Sequence, residues 1–180
     1  MTESSAAQTI EPLFSAEAIS YRVDELAREI AAMPLTDPIF VAVLKGSFIF
    51  AADLVRALHR HGLEPDIDFI FLASYRDGTV SSGRVEVLRD VASALGGHDV
   101  VIVDDILDSG RTLSFAKELL AQRGARKVWT CVLIDKDVPR AADIAADFAG
   151  FRCPDVFVVG YGMDLANRYR ELPFIGTLAS

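Results

Sequence analysis

Three aspartates stand close together in the middle of the chain, directly after a run of β-branched residues. The run is Val100–Val103, the acids are Asp104, Asp105 and Asp108, and a small-residue turn with a helix start follows at 109–112. An apolar run with no polar residue is typical of a strand buried on both faces. Two carboxylates at its end need a cation or hydrogen-bond donors, and free N–H groups at a helix start suit a phosphate. The segment can therefore hold a phosphorylated ribose.

Helix capping is the alternative role for some of these residues. Asp108 or Ser109 could be the N-cap of the helix, a role that needs no ligand. Capping does not explain why Asp104 and Asp105 follow an apolar strand, so we predict that this acidic pair binds a ligand.

Composition limits the function further. The 180 residues, 51% hydrophobic and 24% charged, predict one domain over 1–180 with a sizeable core. A net charge of −8 argues against a nucleic-acid partner, so amides, a few cations or a divalent metal must neutralise any phosphate. No secretory signal and no membrane span is recognised. With Cys131 and Cys153 as its two cysteines, the chain is expected in the reducing cytoplasm.

The elements that must position these acids alternate between strand and helix patterns. This alternation predicts an α/β fold with a mostly parallel central sheet and helices on both faces. Residues 1–12 are expected to be frayed, and the polar segment 75–91 is expected to form a mobile hairpin or lid. Strands are predicted at 38–44, 67–73, 100–103, 127–134 and 156–159, and helices at 15–33, with Ser15 as N-cap, 48–59 and 112–123.

Ligands in such sheets bind beyond the carboxyl ends of the strands. Unusual turns follow four predicted strands: Lys45-Gly46, 104–112, Asp135-Lys136 and 160–164. Their convergence predicts one composite site at that edge.

Several segments together resemble a known family. Residues 104–112 resemble the phosphoribosyl-diphosphate motif of type I phosphoribosyltransferases, although that family commonly has Glu where this chain has Asp104. Leu44-Lys45-Gly46 resembles the pyrophosphate loop of the hypoxanthine-guanine branch, in which a cis peptide bond can occur. Segments 74–75, 133–136, 155–164 and 168–176 resemble further parts of that branch, the last in its bacterial form.

The resemblance implies a type I phosphoribosyltransferase fold, with a small hood built from about 1–35 and 150–180. It implies purine salvage: Mg²⁺-dependent transfer of phosphoribose from 5-phospho-α-D-ribose 1-diphosphate (phosphoribosyl diphosphate) to N9 of hypoxanthine or guanine. The products would be IMP or GMP and pyrophosphate. A homodimer or homotetramer is implied as well.

The resemblance also assigns roles at matching positions, with Asp108 as the acid or base at purine N7. Implied contacts to ribose and its 5′-phosphate come from Asp104, Asp105, Asp108, Ser109, Gly110, Arg111 and Thr112. Implied contacts to pyrophosphate come from Lys45, Gly46, Ser74, Tyr75, Arg140 and Arg170. Implied contacts to the purine come from Lys136, Phe157, Val158 and Asp164. Implied ligands of Mg²⁺ are Asp164, Asp104 and Asp105.

Each role has a plainer alternative. Lys45-Gly46 could be an ordinary turn, Lys136 a solvated lysine and Phe157 a core aromatic, while Arg140 and Arg170 could form surface ion pairs. The lysine role has a physical rationale, because an ammonium only donates hydrogen bonds. It would pair with a 6-oxo group and reject the 6-amino group of adenine.

Two other functions compete with the transferase. One is a non-catalytic regulator of the same fold that senses nucleotides and binds RNA, which the acidic net charge and the set of Asp108, Lys136 and Asp164 disfavour. The other is a metal-dependent phosphohydrolase or receiver-like domain, whose key acid follows the first strand, whereas these acids lie mid-chain. Among bases, hypoxanthine is expected to be preferred, guanine to follow closely and xanthine to be poor.

Overall fold

The structure, a computed structural model, describes residues 9–77 and 80–179, apart from the side chains of 74–77 and 80–84. The described chain contains one six-stranded and one three-stranded sheet. In chain order the elements are β1 (Ile10–Phe14), α1 (Ala16–Ala31), β2 (Ile39–Leu44), α2 (Phe48–Arg60), β3 (Asp66–Asp77), β4 (Val80–Arg89), β5 (Asp99–Leu107), α3 (Arg111–Gln122), β6 (Lys127–Lys136), β7 (Phe148–Cys153), β8 (Val158–Val159) and β9 (Ile175–Leu178).

The larger sheet has the strand order β4-β3-β2-β5-β6-β7. All neighbouring pairs are parallel except β3 and β4, which confirms the predicted α/β class. From the central pair β2 and β5 the chain moves outward in opposite directions, through α2 to β3 and through α3 to β6. Such a reversal is a topological switch point, where open α/β sheets bind ligands.

Both central strands are buried on both faces, as their apolar runs predict. Phe40 and Val101 face the cluster that includes α1 and α2. Val41 and Ile102 face the cluster that includes α3. The β5 residues Val100–Val103 are at most 1% exposed, so the strand that carries the acids is held by core packing on either side.

The smaller sheet, which we call the hood sheet, pairs the two ends of the chain in the order β1-β9-β8. Here the expectation of a frayed 1–12 is wrong for Ile10–Pro12, which pair with Gly176–Leu178. Long-range pairing of this kind leaves no local signal in a short polar segment. The described residues from 1–35 divide between two places, because α1 packs against α2 rather than joining the hood sheet.

Other boundaries also differ from the sequence prediction. The third core strand continues to Leu107, and Lys136 ends β6. Strand β7 was not predicted, since Phe148–Cys153 has no clean alternation and contains Gly150. Arg22 covers its outer carbonyls by donating to Ala149 and Gly150 at 2.9 and 3.0 Å. The expected N-cap Ser15 is confirmed by its Oγ accepting from the Ala18 amide at 3.2 Å.

Segment 75–91 includes the end of β3 and all of β4, which pair antiparallel with Leu72 opposite Val87 and Ser74 opposite Val85. Its expected mobility stays a prediction, and residues 78–79 lie outside the described part. No helix in the described part is long and apolar enough to cross a membrane.

Candidate active site

Two adjoining cavities open at the carboxyl ends of β2 and β5, with volumes of about 250 and 470 Å³. They share Gly46, Leu72, Asp105, Ile106 and Asp108 as lining residues, among others. The smaller cavity reaches the start of α3, and the larger cavity reaches the end of β6 and the hood. We call the two together the cleft.

The acidic pair lies inside β5 rather than after it. Asp104 is 6% exposed, and its Oδ1 accepts from the Asp105 amide at 3.0 Å. Burial raises the pKa of both carboxyls, and the charge of Asp105 adds to the effect on Asp104. Hydrogen bonds within the pair and the charge of Arg170 oppose the rise at Asp105. The fold thus keeps two acids where their charged forms are disfavoured, which is typical of a ligand site.

Glycines bring three chain segments into contact at this pair. A Cβ on Gly46 would lie 1.8 Å from Oδ2 of Asp105, and a Cβ on Gly162 would lie 2.1 Å from the Gly46 carbonyl oxygen. Only glycine fits at either position. The peptide bond between Leu44 and Lys45 is cis.

The turn before α3 shows how the smaller cavity is made. Gly110 is the N-cap with φ +81°, and it has no side-chain capping bond. The capping alternative for Asp108 and Ser109 is therefore wrong, because the left-handed turn at Gly110 replaces a side-chain cap. The Ser109 carbonyl accepts from the amides of Ala141 and Ala142 at 2.9 and 3.3 Å, which fixes the turn from the opposite side.

Gly110 and Thr112 line the smaller cavity, with the first turn of α3 beside them. Ser109 turns its carbonyl away toward 141–142, and Arg111 begins the helix. A helix start beside a cavity offers amide donors to an anion.

Lys136 and Asp108 lie close together on the wall of the larger cavity. The Lys136 Nζ lies 3.6 Å from Asp108 Oδ2 and 3.9 Å from Asp155 Oδ1. The lysine side chain is 9% exposed, so it is not the solvated lysine of the alternative interpretation. Phe157 is 51% exposed and lines the same cavity, which also contradicts a core role for its ring. Val158 follows it, buried in β8.

The hood supplies a carboxylate and a guanidinium to the other side of the larger cavity. Arg170 Nη2 lies 2.6 Å from Asp164 Oδ1, and its Nη1 donates to the Gly162 carbonyl at 2.6 Å. Asp164 Oδ2 accepts from the Asn167 amide at 2.7 Å. Each Asp164 oxygen has a second lone pair for another partner.

Some expected contacts fall elsewhere. Arg140 lines neither cavity, and its guanidinium is paired with Asp135, so its expected contact with pyrophosphate stays a prediction that this arrangement does not support. Ser74 and Tyr75 belong to the backbone of β3, but their side chains lie outside the described residues.

The sequence reasoning missed several lining residues, namely Phe71, Leu72, Leu88, Ile106 and Met163. Their only signal is an apolar residue in or just after a strand, which a core position shares. Gly162 was noticed as part of a turn, but its contact with Gly46 has no sequence signal.

Fold and site together define the class of protein. A mostly parallel sheet with a switch point, an acidic pair of which Asp104 is buried, and a helix start beside a cavity are the parts that a phosphoribose-binding enzyme needs. Residues 10–166 match the family described as the phosphoribosyl transferase domain.

Relatives narrow the class. The hypoxanthine-guanine phosphoribosyltransferase of Bacillus subtilis is 44% identical over 92% of this chain and 91% of its own length. The hypoxanthine phosphoribosyltransferase of Escherichia coli is 40% identical over 93% and 94%. A crystal structure of the Bacillus anthracis hypoxanthine-guanine enzyme covers 94% of this chain and 98% of its own, with 40% identity and a TM-score of 0.85. The chain belongs to the hypoxanthine-guanine phosphoribosyltransferase family.

Proposed function

We propose that this chain transfers phosphoribose from phosphoribosyl diphosphate to N9 of hypoxanthine or guanine and releases pyrophosphate. The observation that carries the proposal is that one cavity of about 470 Å³ is lined by Lys136 and Phe157 together with Asp105, Lys45 and Arg170. Groups suited to a base, a ribose and a polyanion therefore meet in one space. The names of the relatives support the same reaction.

The sugar phosphate occupies the smaller cavity in this proposal. The carboxylates of Asp104 and Asp105 accept hydrogen bonds from the ribose hydroxyls, or meet them through a metal. The turn Asp108–Thr112 holds the 5′-phosphate with backbone amides at the start of α3. The shorter Asp104, where relatives of the type I family commonly have Glu, keeps the negative charge.

The purine occupies the part of the larger cavity next to β6. Lys136 donates to the 6-oxo group, Phe157 stacks on the ring and the backbone of Val158 reads the Watson–Crick edge. Asp108, half-exposed and 3.6 Å from Lys136, lies where an acid or base at N7 is needed. Hydrogen bonding at N7 adjusts the electron density at N9 while the new bond forms.

Pyrophosphate leaves toward the amides of Lys45-Gly46 and the guanidinium of Arg170. Segment 75–91 closes over the cleft in this proposal. Closure excludes water from the cationic, oxocarbenium-like ribose.

Mg²⁺ fits this site as a partner of the substrate rather than in an all-protein cage. No cluster of three or more His, Cys, Asp or Glu suited to a metal occurs among the described residues. Mg²⁺ is commonly held by one or two carboxylates together with substrate phosphates. Asp164, with a free lone pair on each oxygen, and the pair Asp104 and Asp105 would supply those carboxylates. The ion would neutralise charge on the leaving pyrophosphate.

The cellular setting is also part of the proposal. Cys131 and Cys153 are buried free thiols, which supports a reducing compartment, and we place the reaction in the cytoplasm. Assembly as a homodimer or homotetramer follows from the family and is tested by light scattering. The matched family and the named relatives give no support to the alternative of a non-catalytic, nucleotide-sensing regulator.

The test is an assay of pyrophosphate release and nucleotide formation from phosphoribosyl diphosphate with each of four bases. We expect kcat/KM to be highest for hypoxanthine, close behind for guanine, poor for xanthine and negligible for adenine. A metal chelator should abolish turnover, and added Mg²⁺ should restore it. Binding of nucleotides with no release of pyrophosphate would favour the regulator instead.

A further inference from the structure

The hood turn Gly160–Gly162 has an unusual backbone. Its three residues have φ values of +97°, +49° and +101°. Glycines tolerate this region, but the middle residue is Tyr161, and a bulky side chain rarely adopts it. Such conformations persist where surrounding contacts over-determine them, and they cluster at functional sites.

The Tyr161 side chain explains what holds the turn. It is 6% exposed, and its hydroxyl donates to Asp53 Oδ2 on α2 at 2.6 Å. The other Asp53 oxygen accepts from Arg56 at 2.7 Å. Burial and the Asp53 charge raise the pKa of the Tyr161 hydroxyl, so it stays a donor at neutral pH.

This pair lies outside the cleft. Tyr161 and Asp53 line a different cavity of about 420 Å³, which has no lining residue in common with the two cavities of the cleft. Neither side chain is therefore placed to touch substrate.

The turn nevertheless connects to both sides of the proposed pyrophosphate site. Gly162 packs on the carbonyl of Gly46, just before α2 begins. The carbonyl of Gly162 accepts from Arg170 Nη1 at 2.6 Å, and its amide donates to the Arg170 carbonyl at 3.0 Å. Arg170 in turn pairs with Asp164. A bond from Tyr161 to α2 thus fixes the turn that orients Arg170.

We propose that Tyr161 and Asp53 are positioning residues, which hold Arg170 and Asp164 at the correct distance from Lys45-Gly46. The inference rests on the proposed function, because it takes Arg170 and Asp164 as the pyrophosphate and metal side of the cleft. It predicts a specific defect, because loss of the bond between Tyr161 and Asp53 should weaken the binding of phosphoribosyl diphosphate but not that of the purine.

The test combines variants of both partners. Tyr161→Phe keeps the ring and removes the hydroxyl. Asp53→Ala removes the acceptor, whereas Asp53→Asn keeps one acceptor oxygen. Tyr21→Phe, at a tyrosine that is 69% exposed on α1, is the matched control. The measurements are kcat, KM for each substrate and the dissociation constant of phosphoribosyl diphosphate with Mg²⁺ by calorimetry.

For Tyr161→Phe and Asp53→Ala we expect KM and the dissociation constant for phosphoribosyl diphosphate to rise by up to about tenfold, because binding must then order a turn that the bond no longer holds. KM for hypoxanthine should stay within about twofold. Asp53→Asn should recover most of the affinity, and the double variant Tyr161→Phe with Asp53→Ala should be no worse than either single one.

Unchanged affinity for phosphoribosyl diphosphate in Tyr161→Phe, or an equal loss toward both substrates, would overturn the positioning role and leave the bond as a purely structural contact. A lower melting temperature of Tyr161→Phe with no change in substrate affinity would also leave the bond as a purely structural contact. If the wild type neither bound nor turned over phosphoribosyl diphosphate, the proposed function would fail and this inference with it.

Discussion

Strand β5 buries two aspartates, one at its amino end and one toward its carboxyl end, and their surroundings differ in charge. Asp99, at the amino end, is 1% exposed. It is paired with Arg126 and accepts from the Thr36 amide at 2.9 Å. Asp104, near the carboxyl end, is 6% exposed, and the neighbouring charge that acts on it is Asp105, of the same sign.

The difference separates a structural acid from a functional one. At Asp99 a guanidinium and an amide meet Oδ2 of the buried carboxylate, which opposes the cost of its charge, although Oδ1 is buried with no hydrogen-bond partner. At Asp104 the fold accepts an unfavourable charge and leaves the carboxylate open toward a cavity. The comparison teaches that the carboxyl edge of the sheet is built for a ligand that supplies hydrogen-bond donors or a cation when it binds.

The largest effect is expected from a substitution of Asp108, the proposed acid or base at the carboxyl edge of the sheet. Asp108→Asn keeps the shape of the residue but removes its capacity to exchange a proton with purine N7. We expect kcat to fall by about 10²-fold to 10⁴-fold, with much smaller changes in KM. Asp137→Asn, an exposed acid just after β6, is the control. An unchanged kcat would end the assignment of Asp108 as acid or base.

A smaller effect is expected across the cleft, on the hood side. Arg170→Met removes the guanidinium that pairs with Asp164 and faces pyrophosphate. KM for phosphoribosyl diphosphate should rise by about 10-fold to 100-fold in steady-state kinetics. The exposed Arg168→Met is its control. If both variants behaved alike, Arg170 would be only one of several surface charges.

Base selectivity gives the third effect. Lys136→Met removes the buried donor, so hypoxanthine loses a partner and adenine loses a mismatch. The ratio of kcat/KM for hypoxanthine to that for adenine should fall by about tenfold or more. Lys127→Met, at the other end of β6, should leave the ratio unchanged. Continued exclusion of adenine by Lys136→Met would show that selectivity has another source.

The smallest effect concerns stability and compares the two ends of β5 directly. Asp99→Asn should lower the free energy of unfolding by about 1.5 kcal/mol, because Arg126 loses a charged partner. Asp104→Asn should raise it by about 1 kcal/mol, because an amide avoids the burial and the repulsion from Asp105 that disfavour a carboxylate there. Denaturant titration measures both values, and equal signs would contradict the comparison.

The pH dependence follows from the same pair. Burial raises the pKa of Asp104 above its ordinary value of 3.8 in the folded chain. At pH values between 3.8 and this raised pKa, the folded state binds more protons than the unfolded state. The free energy of unfolding therefore falls as pH rises through this window. Asp104→Asn should flatten that decline, which unfolding curves at several pH values would reveal.

Much of this could be predicted from the sequence, for reasons that are local. The β-branched apolar run Val100–Val103 favours a buried strand, and Lys136 and Asp164 belong to segments with family resemblance. The mostly parallel sheet follows from alternating patterns that each span a few residues.

What could not be predicted depends on contacts between distant residues. Strand β1 exists because it pairs with β9 at the other end of the chain. The pairing of Arg140 with Asp135, and the bond of Tyr161 to Asp53, require the tertiary fold. Residue type alone does not show whether an arginine faces a ligand or a neighbouring carboxylate.

The most direct test of the account is the affinity of phosphoribosyl diphosphate with Mg²⁺ for two variants at opposite ends of β5, measured by calorimetry. We predict that Asp99→Asn binds it like the wild type, although it is less stable, and that Asp104→Asn binds it at least about tenfold more weakly, although it is more stable. Equal affinities, or a loss confined to Asp99→Asn, would contradict the claim that the carboxyl end of β5 is built for the substrate.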